Sequence, residues 1–320
     1  SGLRLRKFLN LMINLKQAFS SYILYLMESI NLDKLLSKIV FACVNNNDYQ
    51  EYKKIFDKRT LEERPFDTKL YQTLEIITSK YSDKSIRILD YGCGGGRLLF
   101  YLYSLGYKNI KGCDVLDNYG ELKNTQIDKN NYVFNTIFNL DNTFSSCKQF
   151  TDTNNNLTIH KDNSFDLILS EQVLEHCQNL EGYTNECLRL LDKKGSVYLT
   201  FGQRLRPFEN HINTWIIHWF PKFILNFWLN VFRKDRGGSN YYDKLLNLKT
   251  VFYFKRLFKS KFNKVDYLTT RYLGKTSIKH YKRRKNLRKF FNFLFNMKFI
   301  GIFFRVIVSY FSNPKFILYK

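Results

Sequence analysis

At 320 residues, with 44% hydrophobic and 17% aromatic side chains, the chain can bury a sizeable core, which excludes a disordered polypeptide. Its formal charge of +23 is weighted toward the end, where Arg271 to Lys320 hold thirteen Lys/Arg and no acid. The six cysteines (Cys43, Cys93, Cys113, Cys147, Cys177, Cys187) form neither a CxxC pair nor a tight framework, which argues against a disulfide scaffold and for free cytosolic thiols.

Residues 3–80 read as mostly helical, with Phe8, Leu11, Met12 and Leu15 at helix spacing and a stop at Asn45–Asp48, giving a helical N-terminal region or lid over 1–79. No secretory signal is expected, because Leu3–Met12 is basic and lacks a clean apolar run. From Ile86 the pattern alternates: strand Ile86–Tyr91, helix Arg97–Leu105 stopped at Gly106, strand Ile110–Val115, strand Phe165–Ser170, helix Glu181–Leu191, strand Ser196–Phe201. Such alternation predicts an α/β fold with a doubly wound, Rossmann-like parallel sheet and right-handed crossovers, here assigned to 80–275. Between the second and fourth strands the chain is polar and Asn-rich, with Tyr132–Phe138 as the candidate third strand. Heavy use of Lys, Asn, Phe and Tyr across the chain discounts any single Asn or Phe there as a functional signal.

After Phe201 an aromatic segment, Gln203–Arg233, opens a substrate-side insertion spanning 202–247, followed by helix Leu248–Phe258 and strand Val265–Thr270. The remainder, 276–320, reads as a basic aromatic extension. Its most apolar stretch, Phe290–Phe311, is interrupted by Lys298 and Arg305, so an interfacial or packed helix is expected rather than a spanning one. Aromatic and aliphatic residues interleave with the charges, so contact of 279–320 with an anionic membrane competes with a plain solvated basic face.

The segment Asp90-Tyr91-Gly92-Cys93-Gly94-Gly95-Gly96 ends a predicted strand and opens a predicted helix, the setting in which a glycine loop lets backbone approach a ligand. A dinucleotide fingerprint starting at Gly92 would want Gly or Ala where Arg97 stands, which disfavours NAD. An acid two positions before a GxGxG run resembles the first motif of class I S-adenosylmethionine (SAM)-dependent methyltransferases. Eighteen residues beyond Gly96, Asp114 ends the second strand beside Val115, where a carboxylate can accept hydrogen bonds from both ribose hydroxyls.

The run Asp162 to His176, containing Ser170-Glu171-Gln172-Val173-Leu174-Glu175-His176, resembles the fourth-strand motif of the methyltransferase group called type 11, and Leu188–Gly195 matches that group's next helix and turn. The resemblance spans about Ile86–Phe201. It implies SAM as cofactor, Asp152 near the adenine amino group, and Ser170, Glu171 and Gln172 beside the methionine and methyl group. Base-methylating enzymes typically carry an Asp/Asn-Pro-Pro-aromatic element or a Pro-Cys nucleophile here; neither occurs at Ser170–Val173, so nucleic acid is the less favoured partner despite the charge.

Methyl transfer to a hydroxyl requires in-line alignment and removal of one proton, a task suited to histidine. Of His160, His176, His211, His218 and His280, two are candidates. His176 follows the fourth strand, where orienting the loop is an equal alternative. His211, with Glu209 as partner, lies in Arg206-Pro207-Phe208-Glu209-Asn210-His211, which resembles the Pro-x-Glu-x-His element of methyltransferases of capsule and O-antigen saccharide clusters. The neighbouring Trp215–Pro221 aromatics suit a sugar face, a lipid interface or simple core. No His/Cys/Asp cluster has metal spacing, so no metal is expected, the alternative being a magnesium site assembled from carboxylates distant in the chain. The resemblance implies O-methylation of a saccharide or saccharide-linked intermediate in surface polysaccharide biosynthesis, in the cytoplasm or peripherally on the inner face of the cytoplasmic membrane. A small or lipid-soluble acceptor, an RNA methyltransferase and a degenerate partner-binding subunit are the alternatives.

Overall fold

A computed structural model describes residues 68–115, 127–128, 130–131, 134–135, 138–147, 158–209, 211–212, 214–232, 246–273 and 298–320. The rest of the expected N-terminal helical region and residues 276–297 of the expected extension lie outside them. The chain divides into two compact units, residues 1–80 with 133–140 and residues 81–132 with 141–320.

In the first unit, helix α1 (Thr68–Lys80) carries buried Leu74, Ile76 and Ile77. Phe134, Asn135 and Phe138 are helical, which corrects the expected strand over 132–138. Residues four apart meet on one helix face, and the rings of Phe134 and Phe138 lie edge to face at 5.3 Å. The turn closes where the Asn139 amide donates to the Asn135 carbonyl, with Asn139 left-handed at φ 55°.

The second unit is built on β1 (Ile88–Tyr91), α2 (Arg97–Ser104), β2 (Ile110–Val115), β3 (Phe144–Cys147), β4 (Phe165–Glu171), α3 (Leu180–Leu190) and β5 (Leu191–Thr200). A hairpin of β6 (Phe208–Glu209) and β7 (Thr214–Trp215) follows, then α4 (Lys222–Phe232), α5 (Val251–Lys259), β8 (Lys264–Tyr267), α6 (Thr269–Tyr272), α7 (Lys298–Tyr310) and β9 (Lys315–Tyr319). Seven strands form one sheet in the order β3-β2-β1-β4-β5-β9-β8. Neighbours from β3 to β5 are parallel, whereas β9 runs antiparallel to both β5 and β8. The third strand is thus the short Phe-Ser-Ser-Cys at 144–147, too polar to announce itself by hydropathy.

Central strands read as continuous apolar runs because both faces are covered. All four residues of β1 are buried. On one side α3 buries Leu180, Tyr183, Cys187 and Leu190, its N-terminus capped where Asn179 Oδ1 accepts from the Gly182 amide at 2.8 Å. Phe201, Phe254 of α5 and Phe316 of β9 form a ring cluster, with Phe201 4.3 Å from Phe254 and stacked on Phe316.

Strand β9 differs from the expected domain limit at 275. Phe316, Ile317 and Leu318 are buried between β5 and β8, so the chain end read as an extension supplies part of the sheet. The described part of the interrupted apolar stretch before it forms α7, and no helix among the described residues is long and apolar enough to cross a membrane.

Candidate active site

Connections run outward to β2 and β3 on one side of β1 and to β4 and β5 on the other, so a crevice opens at the carboxyl ends of β1 and β4. Asp90 sits at that edge, 3% exposed. Burial, then the neighbouring charges of Glu171 and Asp114, push its carboxyl well above the usual range. The loop that follows is tied to β2: the amides of Gly92 and Cys93 both donate to the Cys113 carbonyl, at 2.8 and 3.0 Å.

The glycines answer two different demands. A Cβ on Gly92 would meet Val173 Cγ2 at 2.2 Å, and one on Gly96 would meet the Phe144 ring at 2.7 Å, so both are packing requirements. A Cβ on Gly94 would meet nothing within 4 Å. There the loop offers bare backbone to open space, as close approach of a ligand requires. Asn130, 4% exposed, holds that point from behind by donating from Nδ2 to the Gly94 carbonyl at 2.8 Å.

Half-buried Asp114 also grips the loop, Oδ2 accepting from the Gly94 amide at 2.5 Å and Oδ1 from the Val115 amide at 2.7 Å. A carboxylate oxygen can accept more than one hydrogen bond, so a side chain that holds the loop can also take a vicinal diol. Across the crevice, Ser170 is fully buried and Glu171 half-buried at the end of β4. Gln172 turns at φ 58°, its amide donating to the Thr200 carbonyl at 2.7 Å. Burial pushes the Cys93 thiol well up, which favours its neutral form. Asp152 lies outside the described residues. The open backbone, the diol-matching carboxylate and the edge of β4 fit an adenosine-bearing, zwitterionic cofactor.

Beyond β4 a single 3-10 turn, Leu174–His176, carries His176, and the β6–β7 hairpin carries Glu209 and His211 to meet it. The two imidazole rings lie edge to face at 5.0 Å. His211 Nδ1 is 2.7 Å from Glu209 Oε1. Glu175, which sequence reasoning left without a role, stands beside them, fully buried and without a well-formed hydrogen bond at either carboxylate oxygen. Burial raises its carboxyl, and the nearby charges of His176 and His211 act in the opposite sense, as do the backbone amides of Glu175 and Gly202. Only the quoted Leu174-Glu175-His176 motif could have pointed to it. Among the described residues Glu175, His176 and His211 are the group able to offer a metal three ligand atoms, all within 4.8 Å of one another.

The other histidines are elsewhere. His218, 1% exposed, directs Nε2 at the carbonyls of Arg204 and Arg206, at 3.1 and 2.9 Å, and so latches the insertion. His160 packs edge-on against Phe165, and His280 lies outside the described residues. The aromatics of Trp215–Pro221 are not core: Trp215, Trp219 and Phe220 are exposed, and the small core there is Ile212, Leu225 and Leu229.

A doubly wound sheet with a bare glycine loop and a carboxylate at its switch point is the setting in which an adenosine-bearing cofactor can lie across the carboxyl ends of the strands. The chain is a SAM-dependent methyltransferase, and residues 89–199 match the family described as Methyltransferase domain. It is similar to the ubiquinone biosynthesis O-methyltransferase of Rickettsia bellii (strain OSU 85-389), at 24% identity over 199 residues that cover 57% of this chain and 73% of that protein. The protein of the same description from Pelagibacter ubique is 25% identical over 200 residues, covering 61% and 76%. Among solved structures, geranyl diphosphate C-methyltransferase from Streptomyces coelicolor A3(2) is 13% identical, with a TM-score of 0.44 over 78% of this chain and 77% of that one.

Proposed function

We propose that the enzyme transfers the SAM methyl group to a hydroxyl of a small acceptor, a saccharide or saccharide-linked intermediate, with His211 as base. The observation that carries this reading is the 2.7 Å pairing of Glu209 with His211, 5.0 Å from the His176 ring at the carboxyl edge of the sheet. SAM supplies a methyl already activated by its sulfonium, so the protein's tasks are alignment and proton removal. Asp90, Gly92, Cys93, Gly94 and Gly96 form the cradle; Asp114 and Val115 take the ribose side and Asp152 the adenine side. Ser170, Glu171 and Gln172 floor the methionine end. His211 accepts the hydroxyl proton while Glu209 fixes its tautomer, and His176 orients the acceptor beside it.

A second reading, a lipid-soluble acceptor, is supported by the exposed aromatics of the insertion and by the names of the ubiquinone-pathway relatives. Mass-spectrometric product analysis with SAM and two acceptor sets, nucleotide sugars and polyprenyl-substituted phenols, separates them. A methyl ether on the sugar set supports the first reading, and one on the phenols alone replaces it with the second. Methylation confined to amine or carbon acceptors overturns both.

A further inference from the structure

The part of the chain that makes it basic also holds most of the exposed apolar side chains among the described residues. The first 200 residues contain 25 Lys/Arg against 24 Asp/Glu, and the last 120 contain 26 against four. Within those 120, helix α4 is apolar nearly all round. Leu225 and Leu229 face inward, whereas Phe223, Phe227 and Val231, spaced by four, are 73, 67 and 48% exposed. Helix α7 repeats the pattern with Ile302 and Phe303, 62 and 67% exposed, and with Val306 and Ile307. The rings of Trp219 and Phe311 meet at 6.4 Å, which links the end of α7 to the turn that leads into α4. Exposed Phe252 of α5 continues the surface by stacking on Tyr310 at 5.0 Å. Side chains of this size present roughly 100 Å² each when half exposed, so together they exceed the few hundred Å² of apolar patch that a monomer usually shows.

We propose that this face docks on an anionic lipid bilayer, with α4 and α7 seated in the interface and the surrounding cations on the headgroups. Three features select that occupant. Trp215 and Trp219 are exposed amphipathic rings of the kind enriched at a membrane boundary. Lys255 lies with its ammonium 4.1 and 4.6 Å from the ring centres of Tyr267 and Tyr310, next to the apolar face rather than inside it. A second copy of the same face would bring like charges together, and aliphatic Val231, Ile302, Val306 and Ile307 give bases nothing to stack on. The inference stands apart from the choice of acceptor, since binding is read without turnover.

Co-sedimentation of the full chain with vesicles tests it. Phosphatidylcholine vesicles containing about 30% phosphatidylglycerol should bind it roughly tenfold more tightly than phosphatidylcholine alone, with the difference shrinking at high salt. Phe223→Ser with Phe227→Ser should lower anionic-vesicle binding by about tenfold at unchanged melting temperature and SAM affinity, and Ile302→Ser with Ile307→Ser should do the same. Binding equal in both variants and the parent, or no binding to either vesicle, overturns the proposal. So does single-stranded RNA binding that the variants abolish and vesicles fail to compete.

Discussion

Glu209 Oε1 stands 2.7 Å from His211 Nδ1, while Oε2 of the same carboxylate accepts the amides of His211 at 2.7 Å and Ile212 at 3.2 Å. One buried side chain therefore fixes both the ring and the backbone that presents it. Burial alone would raise the Glu209 carboxyl, but the hydrogen bond and charge of His211, with the two amides, bring it below its ordinary value.

His211→Gln should lower kcat by about 10²–10⁴, and Glu209→Gln by roughly tenfold or more, measured as S-adenosylhomocysteine release at saturating SAM. Activity of the parent should fall on acidification, because the base must be unprotonated. Glu209, with its depressed value, stays ionised to lower pH than an ordinary carboxyl. Its stabilising contribution is present above the unfolded carboxyl value and is lost only as pH drops through the folded one. A His211→Gln enzyme with the parent's rate and pH profile would remove the base.

Asp114→Ala should weaken SAM binding by about 1–3 kcal/mol, since charge-assisted hydrogen bonds are lost from ligand and loop together. Calorimetry reads the change. Unaltered affinity would mean that the ribose lies elsewhere.

The loop glycines should separate by readout. Gly92→Ala drives a methyl into Val173 at a left-handed position and should cost roughly 2–4 kcal/mol in denaturant unfolding. Gly94→Ala meets no atom within 4 Å and should cost only about 1 kcal/mol of stability for its φ of 49°, yet lose SAM affinity. Equal stability losses would refute the division between packing and ligand approach.

Glu175→Gln should stabilise the fold at neutral pH. The Glu175 carboxyl is raised by burial, so its folded state is favoured while protonated, and that advantage disappears as pH rises through the folded value. The variant escapes the penalty, and the gap in melting temperature should close as pH falls toward the ordinary carboxyl range. A variant less stable than the parent at pH 7 would show that the ionised form is the one the fold prefers.

Ending the chain after Pro314 should prevent folding of the sheet. Burying Phe316, Ile317 and Leu318 is worth roughly 1.5–3 kcal/mol each, comparable in sum with the whole net stability of a domain. Circular dichroism of the truncated chain, compared with one carrying Phe316→Ala alone, checks this.

Much of the sheet was legible because its central strands are buried on both faces and therefore read as apolar runs ended by glycine. Strand Ile110–Val115 was placed at its observed limits. The cradle was legible for a related reason: a glycine loop between strand and helix needs few partners from elsewhere. What was lost followed from rules that hold on average. Discounting asparagines as compositional bias hid Asn130 behind Gly94, and Asn131, whose side-chain amide pairs with both backbone groups of Phe144 at 2.8 and 2.9 Å. Asn side chains can mimic backbone, so a polar stretch supported the two-serine strand β3 that hydropathy passed over.

The amino-acid sequence by itself determined the alternation of strand and helix, the bare loop after Asp90 and the carboxylate at Asp114, because each depends on residues close together along the chain. Only the tertiary structure decided that a basic, aromatic chain end supplies β9, that His176 and His211 converge around buried Glu175, and that Phe223 and Phe227 of α4 face outward. Those outcomes depend on which surfaces remain to be covered once the sheet has closed, and no local pattern of residues carries that information.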